Sequence, residues 1–237
     1  MPTSAAFSVK KVQKRSTEAQ ATDTLRDAIV CGDIPLGSRL TEIVVSERVG
    51  VSRGTIRTAF HQLVQEGLLV QIPYTGWTVM QLSSHDAWEL YTLRASLESL
   101  ASRLVARSIN DKRRADRIKS TLAASFAGLK DACASGSRAQ IAREDMNLHR
   151  TIVALSDHGR LIDQYARIGN QVQIYIQSSD ALVKSPAEII TQHTPIVETV
   201  LRGDEDAAVN AAAAHNEREG AILVNFLAEQ ERSRTAS

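Results

Sequence analysis

Three histidines and an aspartate carry the most chemical spacing in this chain. Asp145 and His149 lie four residues apart in "DMNLH", His193 falls in "QHTPIVETVLRGD", and His215 closes "AVNAAAAH". On a helix, residues four apart leave the same face. That face of the Asp145 segment also carries Ile141, Leu148, Ile152 and Leu155. His193 shares a stripe with Ile189, Ile196, Val197 and Val200, and His215 shares one with Ala208, Ala211, Ala212 and Ile222. All four groups therefore point inward. A buried imidazole or carboxylate left without a partner costs on the order of 1 to 3 kcal/mol or more. One divalent ion would satisfy Asp145, His149, His193 and His215 together, because imidazole nitrogen and carboxylate oxygen are ligands that Zn²⁺, Ni²⁺ and Mn²⁺ accept. The alternative for each histidine is a hydrogen-bonded core residue.

A second constellation sits near the start of the chain. In "GVSRGTIR", Arg53 and Arg57 are four apart and follow a serine suited to capping a helix at Ser52. Guanidinium groups pair in a bidentate way with guanine edges in a major groove. A helix N-terminus and the hydroxyls of Thr41, Ser52 and Thr55 suit phosphates. Solvated surface arginines are the competing reading of the pair alone.

The elements that must position these groups follow from periodicity and caps. Residues 1–17 mix small, polar and basic types, including Lys10, Lys11, Lys14 and Arg15, and read as a flexible basic arm that could touch phosphates or merely solubilise. Residues 18–82 read as a winged helix-turn-helix of three short helices and a hairpin. Its helices run from Thr22 to Gly32, from a Thr41 cap to Gly50, and from a Ser52 cap to Glu66. "DIPLGSRL" is a turn-rich connector between the first two. "LLVQIPY" and "WTVMQL" form the hairpin around Thr75 and Gly76, and Gly76 at the tip allows close backbone approach to DNA. After a linker at 83–84, residues 85–231 read as an all-helical antiparallel bundle, with 232–237 a flexible tail. Its first helix places Trp88, Tyr91, Leu93, Leu97, Leu100 and Leu104 near helical spacing. Ser137 and Ser185 each begin a capping box, and Pro195 should kink its helix or restart it at Thr194. The fold class is mostly α.

Composition narrows the function. The 237 residues carry 43% hydrophobic and only 4% aromatic types, and the formal net charge is +1, so any nucleic-acid footprint has to be local. Residues 1–82 hold 9 Lys and Arg against 7 Asp and Glu. Cys31 and Cys133 lack motif spacing and read as reduced thiols of a cytoplasmic protein. No apolar run approaches the roughly 18 residues that span a bilayer, so no membrane role is expected. No Gly-x-Ser-x-Gly motif is present, and Glu144 and Glu217 fall off the ligand stripes, which leaves no catalytic residue to assign.

"GSRLTE" (Gly37 to Glu42), "GVSR" (Gly50 to Arg53), "IRTAF" (Ile56 to Phe60) and "EGLL" (Glu66 to Leu69) together resemble the DNA-binding half of GntR-family transcription regulators. The helical half resembles the effector domain of the FadR subfamily, often called FCD, in whose metal-binding members an Asp-x3-His pair precedes two further histidines placed as they are here. The resemblance implies that Arg53 and Arg57 read bases. It implies a homodimer on a palindromic double-stranded operator, and an organic acid effector completing the coordination of the ion. It also singles out Arg94 of the Arg94-x3-Glu98 pair, which reads either as a second anchor for the effector or as a simple i,i+4 ion pair. Glutamines at Gln171 to Gln177 stand where many relatives place arginines. The expected function is a repressor released by its effector. A regulator for which the metal is itself the signal is the alternative, and a metal-dependent hydrolase is the remote one.

Overall fold

The computed structural model describes residues 15–73 and 76–235. Lys10, Lys11 and Lys14 of the expected arm, Tyr74 at the end of the first expected strand and Thr75 of the expected turn lie outside the described residues. Nine helices and a three-stranded sheet are seen among those described: α1 (Thr17–Val30), β1 (Arg39–Leu40), α2 (Glu42–Val49), α3 (Arg53–Gln65), β2 (Leu69–Ile72), β3 (Gly76–Val79), then α4 (Ser84–Ser108), α5 (Lys112–Ser135), α6 (Arg138–Leu155), α7 (Gly159–Asp180), α8 (Pro186–Arg202) and α9 (Glu205–Thr235).

The first three helices begin where a side chain can accept an orphan amide. Ser16, Thr41 and Ser52 cap α1, α2 and α3 by accepting from Ala19, Val44 and Thr55. Gly50, at φ 75°, stops α2 in the left-handed region. Leu25, Ile29, Val45, Ile56, Phe60 and Leu63 then close over Trp77 and Val79. Burying each large apolar side chain contributes about 1.5 to 3 kcal/mol. The sheet order is β1-β3-β2, all antiparallel, with Arg39 opposite Thr78 and Leu40 opposite Trp77. Part of the expected connector is thus a short strand, completing the wing on its inner edge.

The second half is all helical, and four details differ from expectation. The apolar stripe foreseen on α4 coincides with its buried face only in part, at Tyr91 and more loosely at Leu97 and Leu104. Trp88, Leu93 and Leu100 are exposed, while Ala87, Leu90, Tyr91, Arg94, Glu98, Ala101, Ser102 and Val105 face inward. Hydropathy misplaces this helix because two ionisable residues belong to its inner side. Neither Ser137 nor Ser185 makes a side-chain cap bond. Gln140, the partner expected for Ser137, accepts from Ser135 Oγ instead, and Pro186 at the first helical position sets the start of α8. Of the kink or restart expected at Pro195, the restart does not occur: α8 runs through Pro195 as one helix, and Thr194 donates its hydroxyl to Ile190 O inside it. Helix α9 continues to Thr235, into the stretch expected to be a tail. No described helix is long and apolar enough to cross a membrane.

Helices α4 and α9 pack most closely at Gly220, where an added Cβ would come 2.8 Å from Tyr91 Cβ. Tyr91 is itself held by donating its hydroxyl to Ser179 Oγ on α7 at 3.0 Å. Gly220→Val should therefore overpack this crossing by about 1 to 3 kcal/mol and lower the melting temperature by several degrees. Thermal unfolding followed by circular dichroism checks this, and an unchanged midpoint would mean the two helices can separate freely.

Candidate functional site

The inward faces of α6, α8 and α9 bring His149, His193 and His215 together, each 1 to 7% exposed, with one ligand atom of each within 4.8 Å of the others. Asp145 joins them from α6. Its Oδ1 lies 3.2 Å from His149 Nε2 and its Oδ2 lies 3.1 Å from His193 Nε2, while the two Nε2 atoms are 3.2 Å apart. All four residues expected as ligands thus share one buried site.

The far side of each ring decides what the near side can do. His149 Nδ1 sits 2.9 Å from Glu98 Oε2, and His193 Nδ1 sits 2.7 Å from Ile189 O. An acceptor at Nδ1 holds a proton there and turns the Nε2 lone pair toward the centre. Two lone pairs and a carboxylate converging at about 3 Å repel one another unless a cation lies between them. Atoms bound at about 2.1 Å to one ion fall about 3 Å apart, so this donor set fits a metal. His215 Nδ1 has no hydrogen-bond partner among the described residues, consistent with a third ligand whose partner is not protein.

The electrostatics agree. Burial alone would raise the Asp145 carboxyl, but the facing His193 and His149 hold it well below the usual carboxylate range. Burial opposes charge on His193, yet Asp145 and Ile189 O outweigh it and push it up to about 9. Burial and the neighbouring cationic groups push His215 far down, so that ring stays neutral. Without a metal, a single proton on His193 does the neutralising that a divalent ion would do better.

Sequence reasoning missed the carboxylate that orients this centre. Glu98 is 3% exposed and accepts from Arg94 Nε at 2.7 Å, Tyr165 Oη at 2.6 Å and Asn216 Nδ2 at 2.8 Å, besides facing His149. The Arg94–Glu98 pair was read as one of two alternatives; it is present. Arg94 nonetheless keeps its Nη2 buried and unpartnered beside the histidines. Asp180, Gln192 and Glu219 line the same small pocket. Their signal was faint but legible, since Asp180 follows Ile176 and Glu219 follows His215 at helical spacing. Of the other histidines, His158 caps α7, His61 meets the Trp77 ring and His85 faces Glu89 at the surface.

At the other end, Ser52 accepts from Thr55 N at 3.1 Å and shares a 2.9 Å hydroxyl contact with Thr55 Oγ1, so both hydroxyls gather at the α3 N-terminus. Thr41 caps α2 beside them. Arg53 has no ion-pair or hydrogen-bond partner among the described residues. Arg57 differs: its Nε and Nη2 grip both oxygens of Glu42, at 2.8 and 2.7 Å. Gly76, at φ 107°, begins β3 with its Cα against Leu40 O, where a Cβ would lie 3.3 Å away.

Residues 17–79 match the pattern of bacterial regulatory proteins of the gntR family, and residues 89–218 match the FCD domain. The chain belongs to the GntR family and carries an FCD domain. It is a transcriptional regulator rather than an enzyme. A similar GntR relative is a probable D-xylose utilization operon transcriptional repressor of Paenarthrobacter nicotinovorans, 30% identical over 85% of this chain and 88% of that protein. The HTH-type transcriptional regulator YdhC of Bacillus subtilis is 27% identical over 81% and 84%. Among solved structures, a putative GntR regulator from Rhodococcus sp. RHA1 superposes with a TM-score of 0.73 at 20% identity, covering 88% of this chain and 97% of that one. McbR/YncC of E. coli gives 0.72 at 19%, covering 90% and 99%. These structures share the fold.

The raised His193 gives the site a pH signature. Below about 9 its Nε2 side holds a proton that an entering metal ion must displace. Zinc added to chelator-stripped protein at pH 7 should therefore release about one proton, and apparent affinity should fall about tenfold per pH unit as pH drops below 9. Calorimetry in buffers of different ionisation enthalpy reads both, and a heat independent of buffer would remove His193 from the ligand set.

Proposed function

We propose that this regulator binds a palindromic operator as a homodimer and that an organic acid, held beside a divalent metal on Asp145, His149, His193 and His215, controls its grip on DNA. Release of repression by the acid is the proposed sign, in line with the repressor named among its relatives. Arg53 and Arg57 read base edges, Thr41, Ser52 and Thr55 hold phosphates, and Gly76 brings the wing to the backbone. Arg94 anchors the acid through its free Nη2. An open groove between α4 and α9, lined by Trp88, Ala95, Ala221 and Val224, offers apolar surface for the second copy.

The observation that carries the regulatory part is the path of α7. Near its C-terminus, Ile176, Ser179 and Asp180 wall the pocket. Nearer its start, Asn170 Nδ2 donates to Glu66 Oε2 at 3.2 Å and Gln171 Nε2 donates to Glu66 O at 2.9 Å. Glu66 is the C-cap of the recognition helix α3, and Arg26 of α1 grips its carboxylate at 2.6 and 2.7 Å. At Gly67, φ 70°, an added Cβ would come 1.9 Å from Gln171 Nε2 and displace that amide. One rigid helix thus touches both the pocket and the base of the DNA-reading helix. A ligand that binds better in one pose of α7 shifts the pose of α3 by linkage.

Two variants test the two ends. Using an operator selected from random duplexes and a fixed salt concentration, Arg53→Ala should lose about 5- to 150-fold of its discrimination against non-specific DNA. Unchanged discrimination would take Arg53 out of base reading. Gln171→Ala should bind both operator and acid yet show a reduced shift in operator affinity on adding the acid. A full response would sever α7 from the switch, and a response to zinc without any acid would favour the metal-sensing alternative.

A further inference from the structure

Arg53, Arg57 and His61 follow one another at four-residue intervals along α3, and all three are exposed, while Ile56, Ala59, Phe60 and Leu63 fill the core behind them. The nitrogen atoms of His61 make no hydrogen bond or ion pair among the described residues. Its ring is nonetheless held in place, edge-on to the buried indole of Trp77, with centroids 5.0 Å apart and planes at 83°. Glu42, the neighbouring carboxylate on α2, is already gripped by Nε and Nη2 of Arg57. His61 is thus an oriented donor on the DNA-reading face with nothing to donate to.

We infer that His61 is a further DNA contact of this regulator, donating a ring N–H to a backbone phosphate at the rim of the major groove. The inference rests on the proposal that α3 enters that groove by its N-terminus while Gly76 brings the wing to the backbone. From Arg53 to His61 the helix climbs eight residues, about 12 Å, which is about the width of the groove. A side chain that far along has left the base edges behind and stands level with the sugar-phosphate chain. The wing leads to the same place, because Trp77, on which His61 rests, directly follows Gly76 in β3. The ridge of phosphates between a groove filled by α3 and the backbone reached by the wing crosses the angle between those two elements, and His61 lines that angle. An imidazole carries at least one N–H in either charge state and a phosphate oxygen accepts, so the two are complementary. Packing against Trp77 has already set the ring's direction, so little rotamer freedom is lost when the bond forms.

The experiment uses the full chain, an operator selected from random duplexes, a scrambled duplex of the same composition, and fluorescence anisotropy at one salt concentration. His61→Phe keeps a ring against Trp77 and removes the donor. It should bind operator and scrambled duplex more weakly by one common factor of about 2 to 10, the worth of a hydrogen bond, with its melting temperature unchanged. His61→Gln, which regains a donor, should recover most of that loss. Replacing operator phosphates one at a time by methylphosphonates should expose at least one position that weakens the natural protein by a similar factor and leaves His61→Phe indifferent. Equal affinities of His61→Phe and the natural protein for both duplexes would overturn the inference. So would the lack of any such phosphate, or a loss confined to the operator, which would make His61 a base reader instead. Should His61→Phe fail to fold, His61→Ala is read in the same way. Arg53→Ala in the same series keeps the two readings apart: if it loses no discrimination the proposed base reader falls, while the phosphate contact is still decided by the uniform loss and the methylphosphonate scan.

Discussion

The structure depends on a carboxylate that has no business being buried alone. Glu98 lies almost wholly out of solvent at the centre of the helical domain, where an isolated charge of this kind costs several kcal/mol. It persists because four donors surround it: Arg94 from its own helix, His149 from α6, Tyr165 from α7 and Asn216 from α9. Burial alone would raise its carboxyl, but Arg94 and His149 hold it well below its usual range. Those bonds fix more than one side chain. They set how α4, α6, α7 and α9 stand relative to one another, because a shift in any of the four would strand either the charge or a buried donor. The candidate metal ligands inherit their geometry from this arrangement. Glu98 accepts from His149 Nδ1–H and so turns Nε2 inward, and a residue without an acceptor at 98 would free the ring to face either way.

Much of the fold was legible because its signals are local. Helix starts at Ser52 and Thr41, the stop at Gly50 and the alternating hairpin each follow from a few adjacent residues, and the structure repeats them. The same locality explains the ligand stripes. Asp145 and His149 declare one face of one helix, and apolar neighbours show that the face is inward. What stayed hidden is what depends on contacts between distant segments. The inner face of α4 could not be read from hydropathy, since its most important residues, Arg94 and Glu98, are charged and would ordinarily be placed in water. β1 is two residues long and exists only because β3 offers it an edge. Gln171 read as a departure from its relatives, and its bond to Glu66 lies 105 residues away in sequence.

Rigidity at the centre sharpens what the periphery can do. Helix α7 belongs to the network through Tyr165, to the pocket through Ser179 and Asp180, and to the DNA-binding half through Asn170 and Gln171. Tyr165 lies near the start of α7, Asn170 and Gln171 near its middle and Ser179 and Asp180 at its end, so in the proposed switch a displacement at the pocket would travel about half the helix to reach Glu66. The connection to the DNA-binding half includes hydrogen bonds to a half-buried carboxylate and a backbone oxygen. Such bonds are worth about 0.5 to 1.5 kcal/mol net when neutral and somewhat more when charged. That scale matches a coupling free energy of 1 to 3 kcal/mol, enough to alter operator occupancy without unfolding either half.

The DNA-reading helix shows how a protein with a net charge of only +1 can bind a polyanion selectively. Bulk attraction is weak, and the proposed reading draws affinity from a few groups at the α3 N-terminus. The two arginines there are not equivalent. Arg53 is free to turn toward a base, whereas Arg57 is tied to Glu42 by two hydrogen bonds at the mouth of α2. For Arg57 to pair with guanine it has to exchange one anionic partner for another acceptor, which costs it much of what it gains. If it stays on Glu42, its planar group is held in a fixed direction on the helix face, and Glu42 itself is kept off the phosphates that Thr41 and Ser52 would approach. Either way the Arg57–Glu42 pair sets the terms on which Arg57 could join Arg53 in the proposed base reading.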